Sequence, residues 1–392
     1  MTRPFRVLQV IDTLGMGGAE TWLMEVLRLW SRDTAPRMDF LATSGRRGLF
    51  DDEATALGAR IYYVPYGRTR LVAFARAFRQ VLRDGCYTAI HDHQDYSSGW
   101  HFLIGGEALP PVRVTHVHNP SYQIDNNYGV SISRRMTARI GKALVARHAT
   151  HIAGTSRQVI SEYGFDAAPF SRIQKGPLYC GIEPARFTVE PASARAKLLA
   201  EFGWSSESKI ALFVGRVDVS PDPNHPQAHK NAGFAVDVAI AAARRDKHIR
   251  LLLAGASSPA VPLLERRIAD AGMSEAIRFC GVRRDVERLM AGSDVFLFPS
   301  RGEGLGMAAV EAQAAGLPVL ASDAVPREAS VVEHLMRFKP LAAGAESWAD
   351  DLLALAECPR DLAANAKIAA SPFSIRHSAD ALAALYLSKA NG

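Results

Sequence analysis

No stretch of this 392-residue chain stays apolar for the roughly 18 residues that a bilayer-crossing helix needs. The start, Met1-Thr-Arg-Pro-Phe-Arg6, lacks a signal-peptide pattern and leads straight into a strand, so a cytoplasmic protein is expected. Cysteine is scarce. Cys86, Cys180, Cys280 and Cys358 are widely spaced and form no Cys-x-x-Cys pair, which argues against both a zinc site and a disulfide framework and leaves buried thiols. Short-period repeats and low-complexity tracts are also missing, so solenoid and fibrous architectures drop out.

What is present is a long chain of ordinary globular composition, 48% hydrophobic. Its length exceeds a single core, and two domains of about 190 residues each are the default. The net charge is +6, and its distribution is uneven. Residues 1–190 carry 23 basic and 17 acidic side chains, 23 − 17 = +6, whereas residues 191–392 carry 23 of each. Two readings fit: an N-terminal half that meets an anionic surface or acceptor, or an ordinary solvated basic face.

The apolar runs alternate with helical spacing. Arg6 to Ile11 reads as a first strand, followed by the glycines of Gly15-Met-Gly-Gly18 and a helix from Ala19 to Trp30. Short strands follow at 38–42, 61–64, 89–91, 112–116 and 151–153, with helices such as Leu71 to Leu82 and Arg134 to Arg147 between them. The pattern pauses around Cys180 to Ala194, where Pro184 and Pro191 mark a linker, and restarts at 210–214, 249–254, 277–279, 295–298 and 319–321. Such βα alternation predicts an α/β protein: two doubly wound, Rossmann-like domains with largely parallel sheets, facing each other across a cleft. The expected domains are residues 1–187 and 188–372. A last amphipathic helix, Ser374 to Lys389 within 373–392, is expected to pack back on the first domain.

The most informative segment runs from Phe298 to Glu311, Phe-Pro-Ser-Arg-Gly-Glu-Gly-Leu-Gly-Met-Ala-Ala-Val-Glu. Pro299 stops a buried strand, Gly302, Gly304 and Gly306 permit tight turns, and an alanine-rich helix opens at Met307. Free N–H groups at a helix start attract phosphate. Two glutamates, Glu303 and Glu311, bracket the turn; on a notional continuous helix they would lie about 12 Å apart along the axis. One can reach a sugar ring and the other a ribose. Arg216, after the apolar strand 211–214, sets a permanent cation at a strand's carboxyl end.

Taken with Gly15-Met-Gly-Gly-Ala-Glu20, Thr115-His-Val-His-Asn119, Gly181-Ile-Glu-Pro-Ala-Arg-Phe187, Gly215-Arg216, Lys230-Asn231 and Gly281-Val-Arg283, this motif resembles the retaining glycosyltransferases of the GT-B fold. The resemblance is to the large family four, which includes bacterial exopolysaccharide and capsule enzymes, and it covers nearly the whole chain. It implies a nucleotide-diphosphate sugar donor, with UDP or GDP open, and a saccharide or lipid-linked saccharide acceptor. Glu303 is then the contact to donor-sugar hydroxyls and Glu311 the ribose carboxylate. Gly304, Leu305, Gly306 and Met307 supply backbone to phosphate or sugar, Val282 and Arg283 sit at the base edge through backbone groups, and His118 meets donor sugar or acceptor. Arg216 and Lys230 carry the leaving diphosphate. Lys230 is separated from Arg216 by a proline-rich insertion, Val217 to His229, longer than the family's usual loop. Gly15, Gly17 and Gly18 approach diphosphate or acceptor, or form a packing turn only; the dinucleotide fingerprint is not met, because Glu20 stands where it needs glycine.

Asp-x-Asp occurs nowhere, which argues against the metal-clamped transferases of the other common fold, and no metal or cofactor is expected. His116 is expected to point into the fold. A metal site from His91, His93, Asp95 and His118 is the lesser reading, since histidines two apart share a face only on a regular strand. No second carboxylate is placed as a nucleophile, and the family implies front-face attack instead. Arg68, Arg70, Arg76, Arg79 and Arg83, interleaved with apolar residues, and Arg134, Arg135, Arg139, Lys142 and Arg147 fit either basic helices lying on an anionic membrane or solvated faces of core-packed helices. Nucleic acid is not expected as a partner. A nucleotide-sugar epimerase of the same fold and a non-catalytic nucleotide-sugar-binding protein are the alternatives.

Overall fold

The computed structural model describes residues 5–15, 17–30, 36–129 and 131–388. The chain divides into two compact units. One comprises Met1–Ser121, Tyr128–Ile182 and Ile375–Gly392; the other comprises Tyr122–Asn127 and Glu183–Ser374.

Seven strands form the first unit's sheet: β1 (Arg6–Ile11), β2 (Arg37–Ala42), β3 (Ile61–Tyr63), β4 (Ala89–Asp92), β5 (Val112–Val117), β6 (His151–Gly154) and β7 (Gln174–Pro177). Their order is β3-β2-β1-β4-β5-β6-β7, with every neighbouring pair parallel. Helices cover such sheets on both faces, which is why the inner strands are largely apolar: Val7, Leu8 and Val10 of β1 are wholly buried. Phe74 and Phe78 of the helix Leu71–Gly85 fill the core over β1 and β4. The strand order reverses between β1 and β4, and ligands bind outside the carboxyl ends of strands at such a reversal.

The second unit has six parallel strands: β8 (Lys209–Val214), β9 (Ile249–Ala254), β10 (Ile277–Gly281), β11 (Val295–Phe298), β12 (Val319–Ser322) and β13 (Met336–Lys339). They run β10-β9-β8-β11-β12-β13, so the reversal falls between β8 and β11. Phe213, Phe234, Leu297 and Trp348 anchor its core. Each large apolar side chain buried this fully contributes ~1.5–3 kcal/mol.

The expected strands all form. Two more, β7 and β13, carry the sequences Gln-Lys-Gly-Pro and Met-Arg-Phe-Lys. Both lie at a sheet edge, where half-exposed polar residues suffice and no apolar run marks them. The second unit begins at Glu183, ahead of the expected joint at 187/188. It also includes residues 122–127, because Tyr122 Oη donates to the Arg301 carbonyl, Gln123 Nε2 to that of Gly302 and Asn126 Nδ2 to that of Pro226, each at 2.9 Å.

The helix Ile375–Leu387 belongs to the first unit. Trp22 Nε1 donates to its Ser378 Oγ at 2.8 Å, and its Tyr386 is buried against Gln9 and His91. Residues 389–392 of the expected 373–392 segment, and Met16 in the glycine run, lie outside the described residues.

Candidate functional site

In the second unit, β8 and β11 pair through Val295↔Ala211 and Phe296↔Leu212, so the segments after both strands leave the sheet at one edge. After β11 the chain forms a loop rather than a helix until Met307. The helix opens at Met307 as expected, so Glu303 is a loop residue and Glu311 lies in the helix Met307–Ala314. The break is at Gly306, whose φ of 95° is left-handed and whose added Cβ would sit 3.0 Å from Val325 and 3.1 Å from Phe298. Conformation and space both demand glycine there.

Glu303, 9% exposed, accepts two hydrogen bonds from Lys230 Nζ, at 2.7 and 2.9 Å. The ammonium also stands 5.8 Å over the Phe298 ring. The structure thus joins two residues that are 73 apart in sequence. Asp218, which pattern alone did not single out, makes the pairing possible. Its carboxylate accepts from the backbone N–H of Lys230 at 3.1 Å, of Asn231 at 2.6 Å and of Ala232 at 3.2 Å. It thereby caps the helix Ala232–Arg245 from fourteen residues upstream, while Asn231 takes the left-handed φ of 63°. Capping from so far away leaves no local sequence signal.

The insertion 217–229 is held in place. Arg301 donates through Nη1 to the carbonyls of Pro223 and His225, both at 3.0 Å, and through its backbone N–H to His229 O at 2.8 Å. Arg267 reaches Pro221 O at 3.1 Å. Arg301 lies inside the motif, and its Nη1 alone serves both carbonyls of the insertion. Gly302 follows it, and a Cβ at that glycine would lie 1.6 Å from Tyr122 Oη.

Arg216 is exposed and makes no ion pair or hydrogen bond among the described residues. Glu311 is half-buried and likewise unpaired among them. Burial pushes its carboxyl up to about 7, opposed by the charges of Arg186 and Lys230. An unpartnered cation and an unpartnered, desolvated carboxyl are what a polar ligand would satisfy. At the end of β10, Gly281 is left-handed at φ 67° and Val282 is 58% exposed. The Arg283 guanidinium is fully engaged by Asp285, at 2.8 and 2.9 Å, and by Glu201, which leaves its backbone for any ligand. Leu305 is buried, Gly304 lies with it in the loop, and Met307 opens the helix, half-buried.

In the first unit, the carboxyl ends of β4 and β5 carry four histidines. His91 Nε2 and His116 Nδ1 are 3.1 Å apart, His93 Nδ1 and His118 Nε2 2.8 Å. The chain continues from His91 Nδ1 to Tyr386 Oη at 2.6 Å and from His93 Nε2 to Gln9 Oε1 at 2.9 Å. Burial drives His91, His93 and His116 well below the usual imidazole range and His118 down to about 4. All four are neutral near pH 7. His116 is wholly buried and His118 half-exposed. One nitrogen each of His91, His93 and His116 falls within 4.8 Å of the others, a spacing that a metal could bridge. These nitrogens already have protein partners, however: His91 Nδ1 meets Tyr386 Oη, His91 Nε2 meets His116 Nδ1, and His93 meets His118 and Gln9. Asp95 occupies a left-handed turn, φ 48°, where burial pushes its carboxyl up to about 7 against hydrogen bonds from Tyr163 and the His118 backbone.

The glycine loop after β1 is acidic. A Cβ on Gly17 would meet Glu20 Oε2 at 2.1 Å, and burial together with Asp12 raises the Glu20 carboxyl despite the helix start beside it. Gly15 and Gly18 have open or ordinary surroundings.

Known proteins agree with this architecture. Residues 17–174 match the glycosyl transferase 4-like domain, and residues 208–358 match the glycosyl transferases group 1. EpsF of Bacillus subtilis (strain 168), a glycosyltransferase by assignment, is 28% identical over 353 residues, spanning 88% of this chain and 87% of its own. The capsular polysaccharide biosynthesis glycosyltransferase CapH of Staphylococcus aureus is 23% identical over 81% of each chain. Among solved structures, HepE of Anabaena in complex with UDP superposes with a TM-score of 0.75 at 18% identity, covering 97% of this chain and 98% of that one. Two parallel Rossmann-like sheets, the Lys230–Glu303 pair between strand ends and these likenesses give one conclusion: the chain belongs to the family-four glycosyltransferases of the GT-B fold.

Proposed function

We propose that this glycosyltransferase moves a hexose, with retention, from a nucleotide-diphosphate sugar to a polysaccharide or lipid-linked saccharide, without a divalent metal. The observation that carries the reading is the Lys230–Glu303 pair set beside an unpartnered Arg216 and an unpaired Glu311. Arg216 and Lys230 neutralise the diphosphate, whose charge grows as the bond from sugar C1 to phosphate oxygen breaks. Glu303 accepts from sugar hydroxyls and is oriented by Lys230. Glu311 accepts from the ribose. The free N–H groups at Met307 and Ala308 face the start of an eight-residue helix and suit phosphate. Retention follows from front-face attack: the acceptor oxygen bonds to C1 on the face the diphosphate leaves, and its proton passes to a departing phosphate oxygen. The acidic surroundings of Gly15, Gly17 and Gly18 favour a hydroxyl-rich acceptor over diphosphate at that loop.

UDP is the first nucleotide to test, because HepE binds it. A thermal-shift screen of UDP, GDP and their sugars is expected to raise the melting temperature with one nucleotide family, by mass action. No shift with any of them overturns the reading. A transfer assay with the binding donor then separates classes: an isomerised sugar formed without acceptor marks an epimerase, and binding without turnover marks a sugar-binding protein.

A membrane-side location also belongs to the proposal. Among the described residues no helix is long and apolar enough to cross a membrane. On the helices Leu71–Gly85 and Ile132–His148, Val72 is 76% exposed, Ile132 83% and Met136 50%, beside Arg76, Arg79, Arg135 and Arg139. The side chain of Arg68 lies outside the described residues. Apolar groups ringed by arginine suit the inner face of an anionic membrane. Sedimentation with anionic vesicles at low salt and its loss at high salt is expected; no binding at either salt rejects it.

A further inference from the structure

We propose that Gln9 and His93 are positioning residues that set the tautomer of His118, so that its Nδ1 is a bare hydrogen-bond acceptor. This rests on the reading of His118 as a site residue. The argument is one of donor and acceptor parity along a buried chain. Gln9 Nε2 donates to Tyr386 Oη at 2.8 Å. The one proton of the phenol needs an acceptor in this buried site, and His91 Nδ1, 2.6 Å away, receives it. His91 must then carry its proton on Nε2, which donates to His116 Nδ1 at 3.1 Å. That limb ends at His116 Nε2–H, buried without an acceptor among the described residues and edge-on to the Trp22 ring.

The oxygen end of the same amide fixes the second limb. Gln9 Oε1 can only accept, so His93 carries its proton on Nε2, 2.9 Å away. His93 Nδ1 is therefore bare, and it accepts from His118 Nε2–H at 2.8 Å. The one nitrogen of His118 left over is Nδ1, unprotonated. A single amide, wholly buried on β1, thus aligns four neutral imidazoles on β4 and β5 and a tyrosine from the last helix. Reversal of the His118 limb alone would set the Gln9 carbonyl against a ring lone pair, a buried clash of acceptors. Gln9, Trp22 and Tyr386 face the ladder as uncharged groups, His151 bears on His91, and the Asp95 carboxyl accepts from the backbone N–H of His118. A bare Nδ1 accepts a proton-bearing partner such as a sugar hydroxyl and refuses a carbonyl or a phosphate oxygen. The ladder therefore selects hydroxyl groups at His118.

The test is long-range ¹H–¹⁵N correlation spectroscopy on the full chain with ring-labelled histidine, near pH 7.5, with signals assigned by single substitutions. His118, His93 and His91 are expected as Nε2–H tautomers, His118 with an unprotonated Nδ1. In Tyr386→Phe the His118 signals stay where they are, because its limb does not pass through the phenol. In Gln9→Met, close to isosteric, the His118 signals move toward a tautomer average, and kcat falls roughly tenfold with donor KM within about twofold, the loss of one aligned hydrogen bond. A protonated Nδ1 on wild-type His118, or an unchanged His118 tautomer in Gln9→Met, overturns the proposal. His118→Asn with wild-type turnover instead removes the site reading of His118 and leaves the tautomer result standing, so the two failures are distinguishable.

Discussion

Lys230 Nζ lies 2.7 Å from one carboxylate oxygen of Glu303 and 2.9 Å from the other, with the lysine side chain a third exposed and the glutamate 11%. The carboxylate is too buried to be left uncompensated, and the lysine is exposed enough to meet a ligand. Each residue therefore positions the other. Lys230→Ala is expected to lower kcat by ~10²–10³, the cost of one preorganised charge, and also to lower the melting temperature, because a buried carboxylate loses its partner.

Arg216 gives the contrasting case. It has no protein partner among the described residues, so Arg216→Ala is expected to abolish transfer while stability changes by less than ~0.5 kcal/mol. Steady-state transfer and a thermal melt on the same preparation check it. Wild-type turnover in this variant, or in Glu303→Ala, contradicts the site.

Glu311 makes a pH prediction. Its folded pKa is raised from 4.5 to about 7, so the folded state favours the protonated carboxyl. That contribution is fully present below about pH 4.5 and is lost as pH rises through about 7. Glu311→Gln should therefore match wild type in acid and exceed it in stability above pH 7. The comparison must be of variant against wild type. Asp95 titrates in the same direction, whereas the histidines at 91, 93, 116 and 118 have depressed pKa values and add stability as pH rises toward 6.5. Nucleotide affinity should follow the opposite course to stability, tightening as Glu311 ionises and can accept from a ribose. Denaturant melts and nucleotide titrations from pH 5 to 8 read both.

Gly302→Ala tests the hold of residues 122–127 on the motif loop. The new methyl would overlap Tyr122 Oη, a half-exposed side-chain end that can move away. The expected result is a modest loss, ~1 kcal/mol for the hydrogen bond from Tyr122 to Arg301 O. Tyr122→Phe in the same background should add no further loss. Gly306→Ala should cost more, because there the backbone is left-handed and the neighbours are Val325 and Phe298 in the core.

Metal removal is the last test. Arg216 and Lys230 supply the positive charge that a cation would otherwise bring, so transfer is expected to persist at wild-type rate after exhaustive chelation. Loss of activity restored by a divalent ion would reject metal independence and direct attention to His91, His93 and His116, whose nitrogens approach within 4.8 Å.

Much of this was legible in the chain itself. Parallel strands buried on both faces are apolar over most of their length, which is why 249–254 and 295–298 stand out as strands without any tertiary information. Gly306, Glu303 and Glu311 are local: a left-handed turn before a helix demands glycine, and the two carboxylates flank it in sequence. The absence of Asp-x-Asp and the excess arginine of the first half are compositional. Tertiary structure alone decided the rest, because the partners are far apart in sequence. Asp218 caps a helix fourteen residues on, Arg301 clamps an insertion some eighty residues earlier, and residues 122–127 bond with a loop near 301. The edge strands β7 and β13 are recognised by the neighbour they pair with rather than by their own composition. The histidine ladder is the clearest instance. Gln9, His91, His93, His116, His118 and Tyr386 are scattered over 378 residues, and only the packing of β1, β4, β5 and the last helix turns six ordinary side chains into one hydrogen-bonded chain with a defined direction. Local pattern can specify which backbone a segment adopts; which buried donor finds which acceptor is settled when the strands assemble.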